Sequence, residues 1–206
     1  TAEEVKMIRK HSSTNLITCE TTPQHLLMDA PDIYNKIGAF AQMNPPIREK
    51  SHQDELWRGL FDGTINCIAT DHAPHTLEEK KLPYGEAPSG MPGIETSLTL
   101  ILNEVSKGKI KLGHVVKWMS ENPAKLYRLK NKGFLKIGYD ADITIVDMNK
   151  EKTISNNLMY TKCGWTAFHG IKTKGWPITT IVNGNIVYQN EELNMDILGE
   201  KVNFDY

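Results

Sequence analysis

The 206-residue chain has 24 basic and 25 acidic side chains, a formal net charge of −1, and 39% apolar residues. That is enough for one sizeable core, and the balance of charge argues against a nucleic-acid or membrane surface, leaving a small molecule or a protein as the expected partner. No apolar run approaches the roughly 20 residues that span a bilayer, no signal peptide is visible, and Cys19, Cys67 and Cys163 are odd in number without CxxC spacing, so they read as reduced thiols of a cytoplasmic protein.

The chain opens in helical pattern at Thr1, with Val5 and Ile8 on one face and Glu3 and Glu4 in the first turn, where the helix dipole favours acid. A chain that starts inside an element reads as cut, and an N-terminal part is expected to be missing. Asn15 to Thr21 reads as a short buried strand. Residues 22–44, broken by Pro23, Pro31 and Gly38, read as irregular. A helix is predicted from Glu49 to Asp62, with Leu56, Trp57, Leu60 and Phe61 on its apolar side and Gly63 as its stop. Thr64 to Thr70 is a mostly apolar strand of the kind covered on both faces.

Residues 71–93 read as one long loop rich in His, Pro and Gly, a length that is uncommon without a function. Ile94 to Gly108 is a helix with a glycine stop, and two short helices follow, separated at Asn122-Pro123. Helix, strand, helix, strand, helix is the alternation of a parallel α/β architecture. The pattern changes near Gly133. Alternation around Ile143 and Ile145 marks a strand, and Asn183-Gly184 between two β-rich arms marks a hairpin with a type I′ turn. The tail therefore reads as a small β unit after an α/β body.

The densest chemical constellation is Thr70-Asp71-His72-Ala73-Pro74-His75, where an apolar strand runs into the long loop. Asp71 at such a strand end can ligate a metal and accept a proton, and His75 can bond a substrate held nearby; an ordinary polar turn capped by Asp71 is the plainer alternative. In Asn44-Pro45-Pro46 two prolines fix the backbone, so Asn44 is held ready to bond an amide edge or serves only as a rigid lead-in to the next helix. Pro88, Ser89 and Gly90 lie in a Gly/Pro loop that feeds a helix N-terminus, which suits a carboxylate or reflects loop geometry alone. His25 reads as a ligand, a supporting group behind the site, or a structural histidine. His52 and His169 read as surface or packing residues, and His114 has no evident role.

Taken together, TCETTPQHLLMD, MNPPIREKSHQDELWRGLFDGTINCIATDHAPHTLEEK and PSGMPGIETSLTLILNEV resemble the second half of dihydroorotases of the long bacterial and multifunctional type, within the amidohydrolase superfamily. The likeness runs in order from Thr1 to about Val187; allantoinases, dihydropyrimidinases and hydantoinases share the scaffold and parts of these motifs. The resemblance implies the C-terminal half of a (β/α)8 barrel over residues 1–130 and strands of a small β-sandwich over 131–206. It implies one or two Zn²⁺ ions, Asp71 as metal ligand and proton shuttle, and Asn44, His75 and the Pro88–Gly90 backbone as substrate binders. The activity implied is reversible cyclisation of N-carbamoyl-L-aspartate to L-dihydroorotate in pyrimidine synthesis, by a cytoplasmic homo-oligomer that associates with other pyrimidine-pathway enzymes or works alone. The remaining metal ligands of that family, an HxH pair, a carboxylated lysine and two further histidines, match no residue here and are expected upstream, so the isolated chain is expected to be inactive. A non-catalytic scaffold subunit is the contrasting expectation.

Overall fold

The computed structural model describes residues 1–11 and 17–205. Asn15 and Leu16 of the predicted first strand, and Ser12 and Ser13 after the first helix, lie outside the described residues.

In chain order, α1 (Ala2–His11) leads to β1 (Glu20–Thr21). The stretch read as irregular instead holds α2 (Pro23–Leu27), α3 (Asp32–Ile37) and a 3₁₀ turn at Gly38–Ala41. Pro23 starts a helix rather than breaking one, because its missing N–H falls in the first turn, where no intrahelical acceptor exists. The Thr22 hydroxyl caps that turn by accepting from the His25 amide. Helix α4 (Lys50–Asp62) ends at Gly63 in the left-handed conformation, φ 83°, as its sequence predicts. Strand β2 (Cys67–Ile68) follows.

The long loop carries one short helix, α5 (Leu77–Lys80), whose Thr76 and Glu79 form a reciprocal capping box. Helix α6 spans Ile94–Ser106. Helices α7 (Leu112–Val116) and α8 (Asn122–Leu126) are not separated. A single wide π turn, Lys117–Glu121, joins them, and Pro123, which has no N–H to give to that turn, is the second residue of α8. His114 stacks on Trp118 at 4.8 Å between ring centroids, which gives it a packing role.

By density of contacts the chain divides into two units. The first comprises Thr1–Ser97 and Thr153–Lys172. There β1 and β2 pair in parallel, Glu20 with Cys67 and Thr21 with Ile68, and α4 lies on the connection between them. Leu26, Met28, Trp57, Leu60, Ile65 and Ile68 are buried around that pair. The Trp57 indole N–H donates to the Leu26 carbonyl at 2.9 Å and the Gln53 amide to that of Met28 at 3.1 Å, so α2 and its exit are tied to α4. Arg9 ties α1 to the same helix through Glu55 at 2.7 Å and Asp62 at 2.9 Å.

The second unit comprises Leu98–Lys152 and Thr173–Tyr206. Its strands are β3 (Ile143–Thr153), β4 (Lys172–Val182), β5 (Asn185–Gln189) and β6 (Glu192–Leu193), in that order in one sheet. The hairpin turns at Asn183 (φ 49°) and Gly184 (φ 80°), the two positive angles of a type I′ turn. Leu100, Ile101 and Leu102 of α6 are buried, and the Thr99 hydroxyl donates to the Gly175 carbonyl at 2.7 Å, joining helix to sheet. Among the described residues no helix is long and apolar enough to cross a membrane.

At Gly63 an added Cβ meets open space but the wrong dihedral. Gly63→Ala should lower stability by about 1 kcal/mol, read as a reduced urea midpoint at unchanged slope, because only the left-handed conformation is penalised.

Candidate active site

Strand β2 ends at Ile68, and three residues later the backbone turns sharply. Asp71 takes φ 46°, a left-handed conformation that costs a side-chain-bearing residue about 1 kcal/mol or more. Such strain persists only where neighbours enforce it, and they do. The Gln24 amide donates to the Thr70 carbonyl at 2.9 Å. A Cβ on Gly93 would lie 2.8 Å from that same carbonyl, so the two chain segments are in backbone contact. Asp71 itself is exposed, and among the described residues its carboxylate has no hydrogen-bond or ion-pair partner.

His72, by contrast, has hydrogen-bond partners. Its Nδ1 accepts from the Gly93 amide at 3.1 Å and lies 3.4 Å from that of Ile94, so the imidazole caps the start of α6. Ala73 N–H donates to the Met91 carbonyl, and His72 bridges Met91 in parallel. The DHAPH turn and the Pro88–Gly93 loop thus run side by side.

His75 is fixed from two directions. Its Nε2 lies 3.1 Å from the Ser89 carbonyl, which can only accept, so Nε2 carries the proton and donates. Its own carbonyl accepts from the Trp165 indole N–H at 2.7 Å. Gly90 sits against this turn at φ 135°, and a Cβ there would fall 2.6 Å from the Ala73 carbonyl oxygen and 3.2 Å from His75 Nε2. No side chain fits. His75, Ser89 and Gly90 are therefore brought together, with Pro88 beside them. Ser89 keeps its N–H and hydroxyl without a partner among the described residues.

Asn44 is exposed, and its carboxamide makes no hydrogen bond among the described residues. The segment around it is anchored at both ends. Gly90 N–H donates to the Gln42 carbonyl at 2.9 Å, and the Gln42 side chain bonds the Ala87 carbonyl and the Gly85 amide. His25 Nε2 lies 3.0 Å from the Pro45 carbonyl and therefore donates to it, while Nδ1 meets the Thr22 hydroxyl at 2.7 Å. Burial pushes the His25 pKa below the ordinary histidine value, partly opposed by the Pro45 carbonyl and the charge of Asp71. His25 is thus a neutral strut between α2 and the Asn44 loop.

Sequence reasoning missed two supports. One is Gln42; the other is Lys80, fully buried, with Nζ at 3.1, 2.9 and 3.0 Å from the carbonyls of Gln42, Pro88 and Gly90. Burial pulls its pKa down. Lys80 falls within residues 71–93, which the sequence reads as one long loop, and no periodicity in the four-residue helix found there marks which side chain turns inward.

Among the described residues no three His, Cys, Asp or Glu side chains come together to hold a metal ion. Zinc sites use three or four protein ligands. Asp71 fits one oxygen ligand of such a site, and the donor set present here is not a complete one.

The amidohydrolase family model matches residues 2–187. The chain belongs to the amidohydrolase family. Members of that family are generally metal-dependent. The dihydroorotase of Methanosarcina acetivorans is 39% identical over 203 residues, which cover 94% of this chain and 43% of that protein. The dihydroorotase of Pyrococcus abyssi is 42% identical over 186 residues, covering 90% and 44%. Among solved structures, the L-hydantoinase (dihydropyrimidinase) of Arthrobacter aurescens matches with a TM-score of 0.89 at 30% identity, over 94% of this chain and 44% of that one. The dihydropyrimidinase of Brevibacillus agri matches with a TM-score of 0.84 at 30% identity, over 92% and 43%. This amidohydrolase chain therefore spans somewhat under half the length of the proteins it matches.

Because His25 binds a proton less readily folded than unfolded, stability is lost as pH falls through the ordinary histidine range near about 6.5. The urea midpoint should drop between about pH 7 and pH 5, and His25→Gln should flatten that drop. Parallel pH profiles for the two proteins would remove His25 from the account.

Proposed function

We propose that this chain supplies the proton-transferring carboxylate and the substrate loops of a dihydroorotase, the reversible cyclisation of N-carbamoyl-L-aspartate to L-dihydroorotate. The observation that carries the reading is Asp71, an unpaired carboxylate on a strained left-handed backbone at a strand end, beside a loop that His75 and Gly90 hold in place. Support comes from the dihydroorotases, which match at 39–42% identity, against 30% for the solved hydantoinases and dihydropyrimidinases named above.

In the same reading residues 1–130 are the C-terminal half of a (β/α)8 barrel and residues 131–206 contribute strands of a β-sandwich. The parallel β1–β2 pair with α4 on its crossover supports the first, and the four-stranded sheet supports the second. Three free cysteines suit a reducing cytoplasm.

Hydrolysis of the ring breaks one amide C–N bond and adds water; cyclisation is the reverse. Zn²⁺, with Asp71 as one ligand and the others supplied from outside these residues, would polarise the amide carbonyl and lower the pKa of water. Asp71 takes the proton from the attacking water and returns it to the departing ring nitrogen, which balances the proton over one turnover. The free carboxamide of Asn44 can both donate to and accept from an imide-like edge. Ser89 N–H and hydroxyl offer two donors to a carboxylate or carbonyl, and the imidazole of His75 borders the same space.

The native full-length polypeptide should hydrolyse dihydroorotate in preference to dihydrouracil and allantoin, which lack the ring carboxylate. Asp71→Asn keeps a residue that tolerates the left-handed backbone, so it should fold normally while kcat falls by about a thousandfold or more. Substantial turnover by that variant would sink the role given to Asp71. A preference for dihydrouracil would move the assignment to the dihydropyrimidinases.

A further inference from the structure

Lys80 is a buried cation for which the chemistry above has no use. Its side chain is 0% exposed, and among the described residues no carboxylate pairs with it. A lysine kept in the interior without a counter-ion is costly, and an apolar side chain of the same length would pack there at less expense. What an apolar side chain lacks is three donors at one point. Lysine alone among the side chains ends in three N–H bonds that radiate from a single atom and accept nothing.

Those three bonds reach three carbonyls on two different segments. Gln42 lies two residues before Asn44, and Pro88 and Gly90 flank Ser89. The Ser89 carbonyl between them is taken by His75. Three consecutive carbonyls, 88, 89 and 90, are therefore all held from the protein side, two of them by one ammonium. Without that ammonium the Gln42 oxygen keeps only the Gly90 N–H, and the Pro88 and Gly90 oxygens face it across an empty point with no donor between them. The aromatic face of Trp165 lies 5.9 Å from Nζ, and the same indole holds the His75 carbonyl through its N–H. Lys80 and Trp165 thus act on one set of backbone groups.

We propose that Lys80 is a positioning residue that sets the spacing between the Asn44 segment and the Pro88–Gly90 loop, and so the fit of the cyclic-amide substrate between them. This rests on reading that loop as a substrate loop. Lys80 touches no reacting atom in this account. It acts through Gln42, Pro88 and Gly90, and its effect falls on substrate affinity more than on the chemical step.

The test uses the native full-length polypeptide as wild type, Lys80→Met and Lys80→Arg. Each is assayed for kcat and KM on dihydroorotate, dihydrouracil and allantoin, with zinc content, circular dichroism and hydrogen–deuterium exchange over residues 84–93 measured alongside. Lys80→Met should fold, retain zinc, raise KM about tenfold or more with kcat within about threefold, and exchange faster across Ser89–Met91. Lys80→Arg keeps charge and several donors and should recover part of the KM. A merely structural lysine gives a different result, with KM unchanged and kcat falling in step with the folded fraction. That outcome overturns the proposal, as does failure of both variants to fold. If the wild type turns over none of the three substrates, the functional reading fails by itself. Exchange across residues 84–93 then decides Lys80 alone, and an unchanged rate in Lys80→Met rejects it.

Discussion

Two strands of two residues each, Glu20–Thr21 and Cys67–Ile68, run side by side in the same direction. Parallel strands finish on the same edge, so whatever follows each of them is delivered to one place. Here Thr22-Pro23-Gln24-His25 follows the first and Ala69-Thr70-Asp71 the second. Gln24 reaches across to the Thr70 carbonyl, and His25 reaches back to the Pro45 carbonyl beside Asn44. Had the pair been antiparallel, Asp71 and His25 would leave from opposite ends and share no site. The strained backbone at Asp71, the capping role of His72 and the packing of the DHAPH turn on the Pro88–Gly93 loop all follow from that shared edge.

The second feature of the site is how much of it is backbone held by side chains. Carbonyls of Gln42, Pro45, Thr70, His75, Pro88, Ser89 and Gly90 are each bonded by a side chain from another segment. The groups left without partners among the described residues, the Asp71 carboxylate, the Asn44 carboxamide and the donors of Ser89, are those able to meet a ligand. Rigid supports and free functional groups are kept on separate residues, the condition under which a site presents fixed geometry without using its chemistry on itself.

Much of this is legible in the sequence. The DHAPH turn after an apolar strand, the glycine stop at Gly63 and the Asn183-Gly184 hairpin each follow from local rules, because strand ends, helix ends and tight turns are decided by a few adjacent residues. The likeness read from NPPIR and DHAPHTLEEK extends to about Val187, and the family match ends at residue 187. What stayed hidden was non-local. Pro23 and Pro31 read as breaks because nothing nearby shows that each stands at the beginning of a short helix. Asn122-Pro123 read as a gap because a π turn leaves no mark in hydrophobic spacing. The contacts of His72 and Lys80 stayed hidden too, since their partners, Gly93 for one and Gln42, Pro88 and Gly90 for the other, lie 8 to 38 residues away.

The bond from the Trp165 indole to the His75 carbonyl spans 90 positions of the chain. On a ribosome, which releases the chain at about 5–20 residues per second, the Pro88–Gly93 loop that packs on the DHAPH turn emerges well before Trp165 does. For several seconds the turn exists with its histidine in place and its carbonyl still facing water. The bond that holds the His75 carbonyl thus arrives from a segment that follows the first strand of the sheet, and a ribosome stalled in that interval holds a turn that still lacks it.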